Sequence, residues 1–290
     1  MQLGIGLAVA AALLTNLASL LKHRGCHLAE PVRFRSPLRS AQGLAASPWF
    51  AVGWGLAAVA WLVHVAALSL APISIVQAVL AGGAVSLALM AQGIFGHPVE
   101  RRQWLALLLG GSGLALLVVT VPSFSGSHSG FAIDAMAGFE GGLALIAAGL
   151  VVGHRSARFD RHGGILLAAI AGTLFAIAGI AVKGLLGAGD VSVAELAAWI
   201  LLIALAGGLA QYAAAAALQR GGAVEAIGLT GLVASAAQIL GGILVFGDPL
   251  SASPLGLGLQ ASAFAMVCAS ALLIPARRDA PRRALASVAA

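Results

Sequence analysis

Apolar runs of about twenty residues recur along the whole chain, and the short segments between them hold nearly all of its charge. Barrel strands would instead alternate polar and apolar positions over about ten residues. The runs also lack the one-sided apolar stripe of a helix lying on a water-facing surface. Runs of this length read as helices that cross a bilayer. They predict nine transmembrane helices, at about 2–21, 48–69, 74–95, 104–121, 132–153, 164–187, 195–217, 223–246 and 255–274. The breaks carry turn chemistry at Ala71-Pro72, His97-Pro98, Pro122, Asp248-Pro249 and Pro275.

Composition turns this pattern into a class. Of 290 residues, 60% are hydrophobic and 9% charged, and the mean hydropathy is +1.01. Soluble domains are roughly a quarter charged, so this chain cannot clothe itself in a water-facing surface. In lipid, helices satisfy their own backbone polar groups. The expected fold class is an all-α integral membrane protein.

Charge placement then sets an orientation, because Lys and Arg mark cytoplasmic loops. Lys22, Arg24, Arg33, Arg35 and Arg39 follow the first run, and Arg101 and Arg102 follow the third. Arg155, Arg158 and Arg161 follow the fifth, Arg220 the seventh, and Arg277, Arg278, Arg282 and Arg283 the ninth. Nine helices, N-outside and C-inside, put all of these on one side. Lys183 is the exception among the sixteen basic residues; it ends a helix, where its stem can snorkel. The opposite loops hold Asp190, Glu195, Asp248 and an uncharged Ser/Gly-rich turn at 123–130. The first run has no Lys or Arg before Lys22, so it reads as a retained helix and not a signal peptide.

The net charge of +6 and pI near 10.6 accordingly report anchoring against anionic lipid, as in a plasma (inner) membrane. Nucleic acid is not the expected partner, since the basic residues are scattered and lack interleaved aromatics. Trp49, Trp104 and Trp199 sit near helix ends, as in an interfacial belt. Cys26 and Cys268 suggest neither a disulfide nor a metal site.

An internal repeat carries most of the information. Ala71-Pro72-Ile73 through Phe95-Gly96-His97-Pro98 resembles Gly222-Ala223-Val224 through Phe246-Gly247-Asp248-Pro249, at an offset of 151. Helices two to four match helices seven to nine. Helix one matches helix six through Leu20-Leu21-Lys22 and Ala181-Val182-Lys183, at an offset of 161. The expected organisation is a first repeat at 1–121, a fifth helix with its loops at 122–163, a second repeat at 164–274 and a basic tail at 275–290. The fifth helix inverts the second repeat, giving a 4+5 arrangement of inverted four-helix units. Inverted repeats are the usual architecture of secondary transporters, with solute bound between the halves.

The stretch ALSLAPISIVQAVLAGGAVSLALMAQGIFGHPVERRQWLALLLGGSGLALLVV is similar to the second half of an EamA-type repeat of the drug/metabolite transporter (DMT) superfamily. NLASLLKHRG, AIAGIAVKGL and AQYAAAAAL resemble the nine-helix NIPA-like branch, whose founding members are described as magnesium transporters. The resemblance covers about residues 5–274. It implies a transporter working by alternating access, with Mg²⁺ or another divalent cation as cargo. Where that branch tends to carry Thr-Pro, this chain has Gln77-Ala78 and Ile227-Gly228, so the resemblance implies the fold more than the cargo.

Polar groups inside a membrane are costly, which makes each a candidate site. Glu140, about 12 Å into helix five by helical rise, is either a cation or proton site or a structural partner. Glu225 opens helix eight, where a carboxylate favours the helix dipole or serves as a gate. His64 is either a packed group or a solute ligand. Gln77, Gln238, Gln211, Tyr212 and Asn16 serve as interhelical glue or line a polar pathway. Gln211 and Tyr212 also lie in the family-like stretch. Lys22 and Lys183, at opposite faces, are candidate gates or snorkelling anchors. Gly149 and Gly153 form a GxxxG, the spacing of a helix homodimer motif.

No catalytic constellation or nucleotide loop appears, so the chain is not read as an enzyme, and no cofactor is expected. A Mg²⁺ or other cation transporter, an exporter of a small organic metabolite or drug, and a non-transporting membrane scaffold remain the three readings. Membrane lipid and a small solute are the expected partners.

Overall fold

In the computed structural model the described residues are 2–33, 36–96, 99–120, 130–155, 163–248 and 250–273. Arg35, His97-Pro98, Pro122 and most of the 123–130 turn lie outside them, as do Arg158, Arg161, Pro249 and the basic tail from Pro275. The described secondary structure is entirely helical: α1 (Gln2–Leu28), α2 (Pro37–Ala45), α3 (Pro48–Leu70), α4 (Ile73–Gly82), α5 (Ala84–Gly93), α6 (Arg101–Thr120), α7 (Ile133–Arg155), α8 (Gly163–Gly187), α9 (Val193–Arg220), α10 (Ala223–Leu244) and α11 (Pro254–Leu273). Seven spans among the described residues are long and apolar enough to cross a membrane: α1, α3, α4–α5, α7, α8, α9 and α10. The chain is therefore a multi-pass membrane protein. The remaining long helices, α6 and α11, have 20 residues each, about 30 Å at 1.5 Å per residue.

Three features depart from the expected boundaries. Helix one continues to Leu28, which places Lys22 inside the helix and not in a loop. The connection after it contains α2. Helix three breaks at Gly83, where α1 crosses. A Cβ at Gly83 would come within 2.8 Å of the Ala12 Cβ, so only glycine lets α1 approach this closely. Asn16 of α1 donates to the Gly83 carbonyl at 2.7 Å, and Ser86 donates to the same oxygen at 2.6 Å.

Packing follows from small residues. Gly25 lies against the Phe50 backbone and Gly4 against Leu70 and Ala71, so α1 and α3 run antiparallel. Gly184 meets Trp199 and Gly164 meets Arg220 and Gly221, so α8 and α9 pair in the same way. The contacts Ser74–Asp248 and Gln77–Gln238 make α4 antiparallel to α10. Gln260 reaches Thr120, and Gly110 lies against Ser270, so α6 and α11 are antiparallel too. Contacts within the first set recur in the second: α1 on α4–α5 and α8 on α10, α4 on α6 and α10 on α11, α1 on α9 and α8 on α3. α7 packs along α8, outside this scheme.

Both Phe-Gly motifs end their helices alike. Ile94 and Phe95 N–H groups share the Met90 carbonyl, and Val245 and Phe246 share that of Gly241. Gly96 (φ 65°) and Gly247 (φ 63°) then take the left-handed conformation that glycine adopts without a Cβ penalty. These residues match at an offset of 151. The turns Ala71-Pro72 and Gly221-Gly222, with the same extended geometry, match at 150 instead. The missing residue lies in the broken α4–α5 segment, one residue shorter than the continuous α10.

These contacts sort the helix ends. One end carries Leu28, the start of α3, Arg101, Arg155 and Arg220; it is called the basic end. The opposite, distal end carries the Ala71-Pro72 turn, Lys183 and Asp248. α9 starts there with a capping box: Ser192 Oγ accepts from the Glu195 N–H, and the Glu195 carboxylate accepts from the Ser192 N–H.

Candidate functional site

Four of the polar residues singled out above fall into one cluster or its clamp. Gln77 Nε2 donates to Gln238 Oε1 at 2.8 Å, joining α4 to α10. Ser235 Oγ donates to Gln77 Oε1 at 3.3 Å. His64 Nε2, on α3, lies 3.4 Å from Gln77 Nε2. Gln77, Gln238 and Ser235 are buried (2%, 4% and 3% exposed). The Gln238 amide fills the space left by the missing side chain of Gly179, on α8. His64 Nδ1 is buried without a partner among the described residues. By helical rise the cluster sits about 6–9 Å inside the distal end.

A clamp closes that end above it. Lys183 Nζ donates to the carbonyls of Leu68 (2.8 Å) and Ala71 (3.0 Å), the last turn of α3. Asp248 Oδ2 accepts from the Ser74 N–H at 2.9 Å, in the first turn of α4. A cation at a helix C-terminus and an anion at a helix N-terminus are both favoured by the helix dipoles. The two residues thus grip the α3–α4 turn from the second half of the chain, and their own charges interact. Lys183 is fully buried, so it is not a snorkelling anchor.

Lys22, its counterpart, also crosses to the other half: Nζ donates to Gln211 Oε1 of α9 at 3.1 Å. Nearby, Gln219 accepts from the Val32 N–H and donates to the Cys26 and Glu30 carbonyls. The Tyr212 hydroxyl donates to the Arg33 carbonyl at 2.7 Å. Gln211 and Tyr212 therefore sit in a latch that holds the end of α1 and the segment after it against α9. They are not part of the Gln77–Gln238 cluster.

The other candidates stand apart. Glu140 shares a face of α7 with buried Met136, Leu143 and Ala147, and its Oε1 is buried without a partner among the described residues. Glu225 lies in the first turn of α10, with Oε2 near Gly221 and Gly222, the dipole-favoured placement. Asn16 supports the break at Gly83. Gly149 and Gly153 have open space beside them. Among the described residues no group of three His, Cys, Asp or Glu could hold a metal ion.

Ala78 and Ile239, the residues next to Gln77 and Gln238, line a mostly apolar pocket of about 230 Å³ with Leu117, Leu257 and Phe264.

Sequence reasoning missed Ser235, Gly179 and Asp248. Ser235 and Gly179 gave no signal among so many small residues. Asp248 gave one: it occupies the variable position of the second Phe-Gly-X-Pro. No family model, curated protein or solved structure matches the chain.

Proposed function

We propose that this protein is a DMT-type transporter of the plasma (inner) membrane, with nine spans, inverted repeats and an N-outside, C-inside orientation. The observation that carries the reading is the buried Gln77–Gln238–Ser235 network, with His64 beside it, at the junction of the two halves. Uncompensated polar groups in an apolar bundle are costly, and a network with a spare imidazole nitrogen offers a solute both donors and acceptors. Supporting the inverted repeat are the matched contacts, the antiparallel central pairs and the twin glycine caps. Supporting the orientation is the gathering of basic connections at one end. The Lys183–Asp248 clamp and the Lys22–Gln211 latch lie at opposite ends and both join the halves, the positions that alternating access requires of gates.

Of the two cargoes, the network favours a small polar organic solute over Mg²⁺. It contains amides, a hydroxyl and an imidazole, whereas Mg²⁺ is usually held by one or two carboxylates with retained waters. Glu225 lies in the first turn of α10, about 20 Å along that helix from Gln238, and Glu140 lies on α7. Flux into proteoliposomes, measured for a panel of polar solutes and for Mg²⁺ with an entrapped indicator, tests this. Saturable movement of an organic solute without Mg²⁺ movement is expected. Saturable Mg²⁺ flux would overturn the cargo assignment, and no flux of either kind would favour the scaffold reading.

A further inference from the structure

The last two turns of α1 present His23 and His27, four residues apart on one helix face. Their Nε2 atoms are 3.1 Å apart, and their rings meet edge-on with centroids 4.5 Å apart. His23 is buried and His27 is exposed, so an inner ring held by packing faces an outer one open to solvent. Two imidazoles at this spacing are the pair that helical zinc sites use. With metal–nitrogen bonds of about 2.0–2.1 Å, nitrogens 3.1 Å apart subtend about 95–102° at a shared ion, between octahedral and tetrahedral angles.

We infer that His23 and His27 form a chelating site for a divalent transition-metal ion of the zinc, nickel and copper class, with water completing its coordination. Imidazole suits these ions, whereas magnesium prefers oxygen. The adjacent cations are directed elsewhere: Lys22 Nζ bonds Gln211, and the Arg24 guanidinium lies 4.3 Å from the centre of the Trp49 ring. No third protein ligand completes the cluster among the described residues. The site is thus an open, exchangeable one and not a structural centre. Its placement gives it a use. Gln219 of α9 donates to the carbonyl of Cys26, which lies between the two histidines in sequence. A bound ion therefore stiffens the turn of α1 that the latch holds, and couples metal availability to that end of the bundle.

An N–H···N hydrogen bond alone would also bring the two nitrogens to 3.1 Å, and metal titration separates the two cases. The full chain, free of any histidine tag and stripped with chelator in detergent, is titrated with Zn²⁺ by calorimetry and with Cu²⁺ by electron paramagnetic resonance. One saturable equivalent is expected, with nitrogen couplings from two imidazoles. His27→Ala, at an exposed position, weakens the affinity by about tenfold or more and leaves one nitrogen coupling. Equal Zn²⁺ affinity in wild type and His27→Ala, or a single nitrogen coupling in wild type, overturns the site.

Discussion

Lys183 Nζ donates to the carbonyl of Ala71 at 3.0 Å, so a fully buried ammonium on α8 closes the end of a helix 112 positions earlier in the chain. Together with Asp248 on the first turn of α4, it makes the α3–α4 turn a joint between the halves.

Lys183→Met removes both carbonyl bonds, to Leu68 and Ala71. Losing two charge-assisted bonds to buried carbonyls is expected to cost about 3 kcal/mol, read as a lowered midpoint of thermal unfolding in detergent. Lys183→Met/Asp248→Asn is expected to be less destabilised than the sum of the single variants, since the two residues interact. Strict additivity would show that they act independently.

Gly179→Ala places a methyl group where the Gln238 amide now sits, with the Gln238 Cδ at 2.6 Å. Overpacking of this kind costs about 1–3 kcal/mol. A stability equal to wild type would mean that Gln238 is free to move, and that its bond to Gln77 does not depend on α8.

Much of the fold was legible because lipid enforces a simple rule: twenty apolar residues between turn signals make a crossing. The likeness of the two Phe-Gly helix ends was legible because backbone geometry demands glycine there, at Gly96 and Gly247. The kink at Gly83 was harder to place, because its cause is the approach of Ala12 from another helix. The site was legible in part. Gln77, Gln238 and His64 stood out as polar groups in apolar helices, and the fold brought them together. Gln211 and Tyr212 stood out for the same reason, yet Gln211 bonds Lys22 of α1 and Tyr212 the segment after it. Polarity marks that a buried group needs a partner; only the packing says which partner it finds.

Asn16→Ala leaves the Gly83 carbonyl to Ser86 alone and is expected to cost about 1 kcal/mol. Gly83→Ala should cost more, because its Cβ would meet both Ala12 Cβ at 2.8 Å and Leu80 O at 2.9 Å. The reverse order, by thermal unfolding, would show that the break is held by the amide and not by close approach.

Arg101, the exposed first residue of α6, and Asp190, in the exposed connection between α8 and α9, lie at opposite ends of the bundle. In a cysteine-free background, Arg101→Cys should react with a membrane-impermeant thiol reagent only after the cells are opened. Asp190→Cys should react in intact cells. Labelling of both from the same side would contradict the nine-span topology.

Solute flux through Gln238→Leu in proteoliposomes tests the central claim most directly. The variant removes the acceptor of the Gln77 bond at 2.8 Å and puts an apolar side chain of similar size in its place. With wild-type protein giving saturable uptake, and the variant confirmed as folded and monodisperse, flux is expected to fall by about tenfold or more, the effect of losing one polar contact worth roughly 1.4 kcal/mol. Wild-type flux through folded Gln238→Leu would contradict the assignment of this network as the solute site.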